Sequence, residues 1–184
     1  MPDKTGSIEV ICGCMFSGKT EELIHRVKIA KDAGLSTAVF KHSVDKRYDD
    51  TSVVSHDLNA ISAVLIVNSA ALLSLNLKCQ VVAIDEAQFF DNELPGTCTK
   101  LVSRGIRVII AGLDMDYKGQ PFGAMPQVVA IADKVTKLEA VCVQCGSPAT
   151  YSYRTSFSES QILIGEKESY EPRCRLCFIN GNLA

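Results

Sequence analysis

Long apolar runs, a leader-like amino terminus and a basic stripe are all missing from this sequence. The longest apolar stretch, residues 60–67, is far too short to span a bilayer, so we expect no membrane partner. Residues 1–7 lack the apolar segment of a signal peptide, which predicts a cytoplasmic location. The net charge of −2 and the scattered basic residues predict that nucleic acid is not a partner. The 184 residues suffice for one substantial core and a small appendage.

Cysteine is used unevenly along the chain. Four cysteines are expected to be small, buried hydrophobic side chains: Cys12, Cys14, Cys79 and Cys98. The other four form two C-x-x-C pairs that flank residues 146–173, a pattern typical of a closed and therefore structural zinc site. Two redox dithiols are the alternative, although the βαβ context typical of thioredoxin-like motifs is missing. The predicted zinc ligands are Cys142, Cys145, Cys174 and Cys177.

Residues 8–20 join an apolar run to the pattern G-x-x-x-x-G-K-T, and residues 21–32 then read as a helix. Strand, glycine-bounded loop and helix form the context that a phosphate-binding loop requires. The loop N–H groups and the positive end of the helix dipole favour phosphate, and the lysine adds a charge for the outer phosphates. A glycine-rich turn without this function is the alternative. The pattern predicts nucleotide binding by Gly13, Cys14, Met15, Phe16, Ser17, Gly18, Lys19 and Thr20.

Two carboxylates directly follow residues 80–84, an apolar run typical of a buried parallel strand. Asp85 is placed to hold Mg²⁺ together with the Thr20 hydroxyl, so these two residues are the predicted magnesium ligands. Glu86 offers a general base if a hydroxyl group lies within reach. A charged strand end facing solvent is the alternative, and the pair alone does not distinguish hydrolysis from transfer.

Strand-like and helix-like segments alternate as far as residue 138. We expect strands over residues 36–40, 60–67, 80–84 and 107–111, and helices over 21–32, 69–75 (capped by Ser69) and 95–104, with a polar loop over 41–59. This alternation predicts an α/β fold in which helices cover a parallel sheet and functional residues gather at one sheet edge. The pattern then changes, so we predict two domains, residues 1–138 and 139–184.

The segment between the cysteine pairs is rich in aromatic residues. Tyr151, Tyr153, Phe157 and Tyr170 lie there with Arg154, and a glycine follows the apolar residues 162–164. Such a segment suits a flat ring ligand. A small hydrophobic core around the metal is an equally good interpretation.

Taken together, these stretches resemble the thymidine kinases of the cytosolic, zinc-containing type. Residues 15–20 resemble the phosphate loop of that family, residues 45–48 its D-x-R-Y element and residues 84–90 its acidic strand end. Residues 112–114, 121–123, 137–142, 164–165, Tyr170 and the Cys-Arg-x-Cys close are also similar. The resemblance implies a P-loop sheet with a RecA-like core, and a small C-terminal zinc domain that carries a lasso loop. It also implies transfer of the γ-phosphoryl group of ATP to the 5′-hydroxyl of thymidine. Deoxyuridine is implied as a second substrate.

The same resemblance assigns roles to residues. Glu86 matches the catalytic proton acceptor, and four residues match positions that contact the triphosphate and Mg²⁺: Lys19, Thr20, Asp85 and Gln88. A loop at the phosphates corresponds to Asp45, Lys46 and Arg47. The thymidine site corresponds to Met15, Phe89, Tyr117, Gln161, Ile162, Leu163, Ile164, Gly165 and Tyr170. The family further implies a homotetramer and feedback inhibition by thymidine triphosphate (dTTP).

Two other functions fit parts of the sequence. A nucleic-acid-stimulated P-loop ATPase with a zinc module would explain the Asp-Glu-Ala-Gln run, but it would need a basic surface and a second motor domain. A non-catalytic nucleotide sensor would leave Glu86 without a role. Phosphoryl transfer to a nucleoside accounts for more of these residues than either alternative.

Overall fold

The computed structural model describes residues 6–44, 52–54, 60–75, 77–156 and 169–182. The first part of the chain contains, in order, β1 Ser7–Gly13, α1 Lys19–Asp32, β2 Thr37–His42, β3 Ser52–Val54, β4 Ala60–Ser62, β5 Val64–Ile66, α2 Ser69–Ser74, β6 Val81–Asp85, the single 3₁₀ turn Ala87–Phe89, α3 Leu94–Val102, β7 Arg107–Gly112, α4 Met125–Ala130 and β8 Lys134–Leu138. The second part contains β9 Ala140–Val141, β10 Pro148–Ala149, β11 Tyr151–Arg154, β12 Tyr170–Arg173 and α5 Arg175–Asn182.

Six strands form one parallel sheet in the order β5-β2-β6-β7-β1-β8. Alternate residues of β1 point to opposite faces: Val10 packs in the core beneath α2, α3 and α4, whereas Ile11 packs in the core beneath α1. Because both faces are covered, the central strands are apolar throughout, and β6 is buried at all five positions. The predicted α/β fold with a parallel sheet covered by helices is confirmed.

Hydrophobic packing on α1 changes the predicted structure of residues 41–67. The expected loop 41–59 contains the last two residues of β2 and the strand β3. The expected single strand 60–67 is two strands: β4 pairs antiparallel with β3, and β5 is the edge of the main sheet. Val53 and Ile61 bury their side chains in the same core as Leu23 and Val27 of α1. The strands β3 and β4, which the local pattern does not predict, therefore cover α1.

Two further differences concern helix ends and missed elements. The expected cap of α2, Ser69, is its first helical residue, and Asn68 is the cap, because its Oδ1 accepts a 2.9 Å hydrogen bond from the Ala71 N–H. Ser69 instead donates its own N–H to Asp91 Oδ2 at 2.9 Å. The sequence pattern also does not predict α4 and β8, because α4 is short and β8 carries many exposed side chains.

The strands after Leu138 pair only with one another within the described ranges. β9 pairs with β10 and β11 pairs with β12, both antiparallel. α5 packs on this small unit through the ring of Phe178, which stacks on Tyr151 with 4.5 Å between ring centroids. None of the helices in the described ranges is long and apolar enough to cross a membrane.

Candidate active site

Side chains at the end of the loop after β1 donate hydrogen bonds to a backbone carbonyl group of the same loop. Lys19 Nζ donates to the Cys14 carbonyl at 2.7 Å, and Ser17 Oγ donates to the same oxygen at 2.8 Å. Gly13 has φ +143° and lies so close to β8 that a Cβ would be 2.3 Å from the Leu138 carbonyl oxygen. Gly18, at φ +84°, precedes the first residue of α1. The two glycines are therefore required by backbone conformation and packing, as a phosphate-binding loop demands.

The end of β6 lies against the start of α1. Thr20 Oγ1 donates to Asp85 Oδ2 at 3.1 Å, and the backbone N–H of Glu86 donates to Asp85 Oδ1 at 2.9 Å. Burial and the neighbouring charge of Glu86 raise the pKa of Asp85 to about 7. Burial lowers the pKa of Lys19, although the charges of Glu86 and Asp85 oppose that change. A cation arriving here would relieve the repulsion between the carboxylates, which fits the hydroxyl–carboxylate pair that Mg²⁺ uses with a nucleotide.

Gln88 orients the Glu86 carboxylate. The Leu113 N–H donates to Gln88 Oε1 at 2.9 Å, so the amide must present Nε2 on its other side, and Nε2 donates to Glu86 Oε2 at 2.5 Å. Glu86 has φ +54°, a strained conformation for a residue with a side chain. Gly123, at φ +53°, lets the chain pass Gln88, because a Cβ there would be 2.2 Å from the Gln88 carbonyl oxygen. The position of the Glu86 carboxylate is thus fixed by the backbone conformation of this residue and by the Gln88 amide, whose orientation is itself fixed.

Two residues of the predicted thymidine site, Phe89 and Tyr117, follow the neighbouring strands β6 and β7, and a third, Tyr170, is connected to Tyr117 through Arg154. Phe89, half-buried, meets Phe122 edge to face with 6.0 Å between ring centroids. Tyr117, in the loop after β7, has the Arg154 guanidinium carbon 3.5 Å from its ring centroid. That guanidinium also donates to the Tyr170 hydroxyl, from Nη2 at 2.6 Å and from Nε at 3.2 Å.

Two hydrogen bonds join the phosphate loop directly to the small unit. Ser152 Oγ accepts from the Met15 N–H at 2.9 Å, and Cys14 Sγ donates to the Ala149 carbonyl at 3.2 Å. Burial raises the pKa of the Cys14 thiol, which keeps it in the protonated, donating form. Met15 and Cys14 are therefore in contact with the part of the chain that carries Tyr170.

The four predicted zinc ligands come together at one end of the small unit. Their Sγ atoms all lie within 4.8 Å of one another, and those of Cys145 and Cys174 are 3.6 Å apart. Sulfur atoms bonded to one zinc ion at about 2.3 Å are about 3.8 Å apart in a tetrahedron, so the cluster could hold this ion. Hydrogen bonds from the Cys177 thiol to Cys174 and Cys145 favour its protonated form and raise its pKa to about 12, whereas desolvation of the Cys142 sulfur is outweighed by the hydrogen bonds to it, which lower its pKa to about 6. Four thiolates together therefore need a cation here. Cys12, Cys14 and Cys98 are buried as predicted and Cys79 is half-buried.

The predicted residues Asp45, Lys46 and Arg47 lie outside the described residues, as do Gln161, Ile162, Leu163, Ile164 and Gly165. The sequence pattern predicts no role for three features that the structure places at the site. Ser152 and Arg154 share one face of β11, and strand alternation could have paired them. The third feature is an ion pair of 2.6 Å between Lys137 Nζ and Asp114 Oδ2, which connects β8 to the loop after β7. Burial opposes the charge of Lys137, but the hydrogen bond and charge of Asp114 raise its pKa.

The fold and these contacts define a P-loop nucleotide-binding protein with a four-cysteine module. Two solved structures share the fold with a TM-score of 0.50. The genome packaging NTPase B204 from Sulfolobus turreted icosahedral virus 2, in complex with ATP-gammaS, is 17% identical and covers 74% of this chain and 76% of its own. The flagellar accessory protein FlaH from Methanocaldococcus jannaschii is 11% identical, with 92% and 87% covered. At these identities the likeness shows the fold alone.

Sequence comparison is more specific. The family model described as "Thymidine kinase" matches residues 6–178. A thymidine kinase from Bacteroides thetaiotaomicron is 54% identical over 176 residues, which are 96% of this chain and 88% of that protein. Those from Porphyromonas gingivalis and Rhodothermus sp. are 54% and 50% identical, over 95% and 94% of this chain and 86% and 81% of their own. The chain belongs to the thymidine kinase family, and the resemblance seen in the sequence is confirmed.

Proposed function

We propose that this chain transfers the γ-phosphoryl group of ATP to the 5′-hydroxyl of thymidine, and also accepts deoxyuridine. The proposal rests on one observation: Glu86, oriented by Gln88, follows the Asp85 carboxylate that is bonded to Thr20 of the phosphate loop. A base held beside a phosphate site suits transfer to a hydroxyl group. The membership of the thymidine kinase family, in which the relatives bear that name, supports thymidine as the acceptor.

The reaction needs positioning and charge neutralisation more than covalent help. Glu86 takes the proton of the 5′-hydroxyl as the 5′-oxygen bonds to the γ-phosphorus and the bond to the β,γ-bridging oxygen breaks, releasing ADP. Lys19 neutralises charge on the outer phosphates, and Thr20 and Asp85 hold the Mg²⁺ of MgATP. That ion, when bound, neutralises charge developing between the β- and γ-phosphates. Gln88 orients the Glu86 carboxylate at the end of the site where the triphosphate binds.

The rest of the site is divided between the two substrates. Binding of ATP is assigned to Gly13, Cys14, Met15, Phe16, Ser17, Gly18, Lys19, Thr20, Asp45, Lys46, Arg47, Asp85 and Gln88. Binding of thymidine is assigned to Met15, Phe89, Tyr117, Gln161, Ile162, Leu163, Ile164, Gly165 and Tyr170. The two hydrogen bonds from Met15 and Cys14 to the small unit support a site built by both parts of the chain.

Further properties belong to this proposal. The domains are residues 1–138 for ATP and 139–184 for zinc and the acceptor, and the zinc ion is structural because four cysteines leave no open position. We also propose a cytoplasmic homotetramer that dTTP inhibits and that binds neither nucleic acid nor membranes. The alternative, a nucleic-acid-stimulated ATPase, is not favoured by the family to which the chain belongs.

Phosphoryl transfer from ATP across a panel of nucleosides tests the function with the full chain. We expect thymidine to be phosphorylated and Glu86→Gln to lower the rate by at least about 100-fold, the usual contribution of a general base. Glu93→Gln, at an exposed position before α3, is the matched control. ATP hydrolysis that rises with single-stranded DNA and ignores thymidine would establish the alternative instead.

A further inference from the structure

The strand β11 presents different side chains to the two parts of the molecule. Tyr151 and Tyr153 pack on Phe178 of α5, with ring centroids 4.5 and 6.2 Å away. The alternate residues contact the first part of the chain: Ser152 Oγ accepts from the Met15 N–H, and Arg154 stacks on the Tyr117 ring. One face of this strand therefore packs on α5, and the other contacts the site.

Arg154 connects two residues that come from different parts of the chain. Its guanidinium carbon lies 3.5 Å from the ring centroid of Tyr117, in the loop after β7, while two of its nitrogens donate to the hydroxyl of Tyr170 on β12. Only 8% of Arg154 is exposed. A buried guanidinium must have such partners, because its desolvation is costly otherwise. The planar fork that stacks on one ring while it donates to another residue is specific to arginine.

The loop that carries Tyr117 is fixed at several points. Asp116 Oδ1 accepts from the N–H groups of Lys118 and Gln120 at 2.9 and 3.0 Å. The loop starts at Leu113, whose N–H fixes the amide of Gln88. The position of the Tyr117 ring is thus tied through a short stretch of backbone to the group that orients Glu86.

We propose that Arg154 is the positioning residue of the acceptor site, which holds Tyr117 and Tyr170 in the relative placement that a pyrimidine nucleoside requires. This inference rests on the proposed function, because Tyr117 and Tyr170 are acceptor residues only if the chain binds a nucleoside. Arg154 itself touches neither reacting atom. Its effect is on thymidine binding, and ATP binding depends on the phosphate loop instead.

Steady-state kinetics of the full chain separate the two substrates. Arg154→Met keeps the aliphatic part of the side chain but removes its charge, its stacking on Tyr117 and its hydrogen-bond donors to Tyr170. We expect KM for thymidine to rise about tenfold or more and KM for ATP to change less than about threefold, since the loss is confined to one substrate. Arg154→Lys keeps the charge but not the fork, so an intermediate rise is expected.

Two further variants guard against a trivial loss of folding. Tyr170→Phe removes only the hydroxyl that Arg154 contacts, and combined with Arg154→Met it should add little to the KM for thymidine, as coupled residues do. Arg173→Met is the matched control, because Arg173 also stacks on a tyrosine, 3.4 Å from the Tyr153 centroid, but on none of the predicted acceptor residues. We expect it to lower thermal stability and to leave the KM for thymidine within about threefold.

The outcomes distinguish this inference from the proposed function. If the parent chain neither binds nor phosphorylates thymidine, both are overturned. If the parent phosphorylates thymidine and Arg154→Met or Arg154→Lys keeps its KM for thymidine, the function stands and the positioning role is wrong. A rise in both KM values by the same factor, with a lower Tm, would show a purely structural residue and would also overturn it.

Discussion

The side-chain amide of Gln88 donates a hydrogen bond from Nε2 to Glu86 Oε2 at 2.5 Å. Its orientation is dictated from the other side, because the Leu113 N–H can only donate and therefore takes Oε1. Gln88 is 3% exposed, so bulk water has little access to this amide. The carboxylate of Glu86 is consequently held in one position before any substrate arrives.

Replacing Gln88 by methionine should separate catalysis from binding. The substitution removes the donor to Glu86, so we expect kcat to fall about tenfold or more, a larger factor than any rise in KM for ATP. Gln127→Met is the control, since it makes the same change at an exposed position of α4. A Gln88→Met enzyme with parental kcat and an unchanged Tm would show that the amide does not orient the base.

Removing the buried carboxylate of Asp85 should stabilise the fold. Its pKa is raised from 3.8 to about 7 by burial and by Glu86, so the folded state retains a proton that the unfolded chain has lost. Stability therefore falls as pH rises between these two values, and Asp85→Asn escapes the loss. We expect about 2 kcal/mol of stabilisation at pH about 8 and much less at pH about 5, with phosphoryl transfer abolished.

Thermal or urea unfolding without ATP and Mg²⁺, at both pH values, measures the effect of Asp85→Asn. Asp32→Asn, at an exposed position at the end of α1, controls for the change of amino acid. A stabilisation by Asp85→Asn that is as large at low pH as at high pH would contradict the titration argument.

The Glu9 carboxylate should stabilise the fold in the opposite range of pH. Burial alone would raise its pKa, but the hydrogen bond and charge of Arg107, with those of Arg26, lower it below 4.5. Glu9 accepts from Arg107 Nε at 2.6 Å and from Arg26 Nη1 at 3.0 Å, which connects β1 to β7 and α1. A lowered pKa gives stability that is complete above 4.5 and lost as pH falls through the folded value.

For Glu9→Gln we therefore expect a loss of about 2 kcal/mol at neutral pH, because two arginines lose their charged partner. The difference from the parent should shrink as pH falls through the lowered pKa of Glu9, below which both chains are neutral at this position. Urea unfolding from pH 7 downwards measures this difference in the free energy of unfolding. Glu139→Gln, at an exposed position, is the control and is expected within about 0.5 kcal/mol of the parent. A pH-independent difference would rule out an electrostatic origin.

Loss of the metal should abolish thymidine phosphorylation and affect the phosphate loop less. The zinc ion proposed for the two C-x-x-C turns would supply folding free energy to the unit that carries Arg154 and Tyr170. We expect Cys174→Ser to lose zinc and thymidine phosphorylation. ATP binding should weaken by a smaller factor, because the phosphate loop and α1 belong to the part of the chain built on the parallel sheet and meet the small unit through the hydrogen bonds of Met15 and Cys14. Metal analysis, nucleoside kinase activity and ATP titration measure the three effects.

Cys79→Ser, at a half-buried cysteine outside the cluster, should keep its zinc and controls for the chemistry of the substitution. A Cys174→Ser chain that retains zinc and full activity would contradict the structural role. So would a parent chain that contains no zinc after gentle purification.

Local patterns identified much of the fold and of the candidate site. The phosphate loop, the Asp85-Glu86 pair and the two cysteine pairs each depend on residues within a few positions of one another, so backbone geometry and chemistry suffice to recognise them. The parallel sheet follows from the alternation of apolar strands with helices. The hairpin of β3 and β4 and the Asn68 cap escaped prediction because packing on α1 and competition between neighbouring polar residues decided them.

Tertiary structure decided how the recognised parts work together. The amide of Gln88 is oriented by an N–H 25 residues away, and Met15 is bonded to Ser152 at a separation of 137 residues. Arg154 stood in the sequence among aromatic residues without a role, and folding placed it between Tyr117 and Tyr170. The sequence by itself determined which groups are present and the loops that present them. The contacts that orient the base and the acceptor residues depend on side chains brought together from distant strands, which no local pattern specifies.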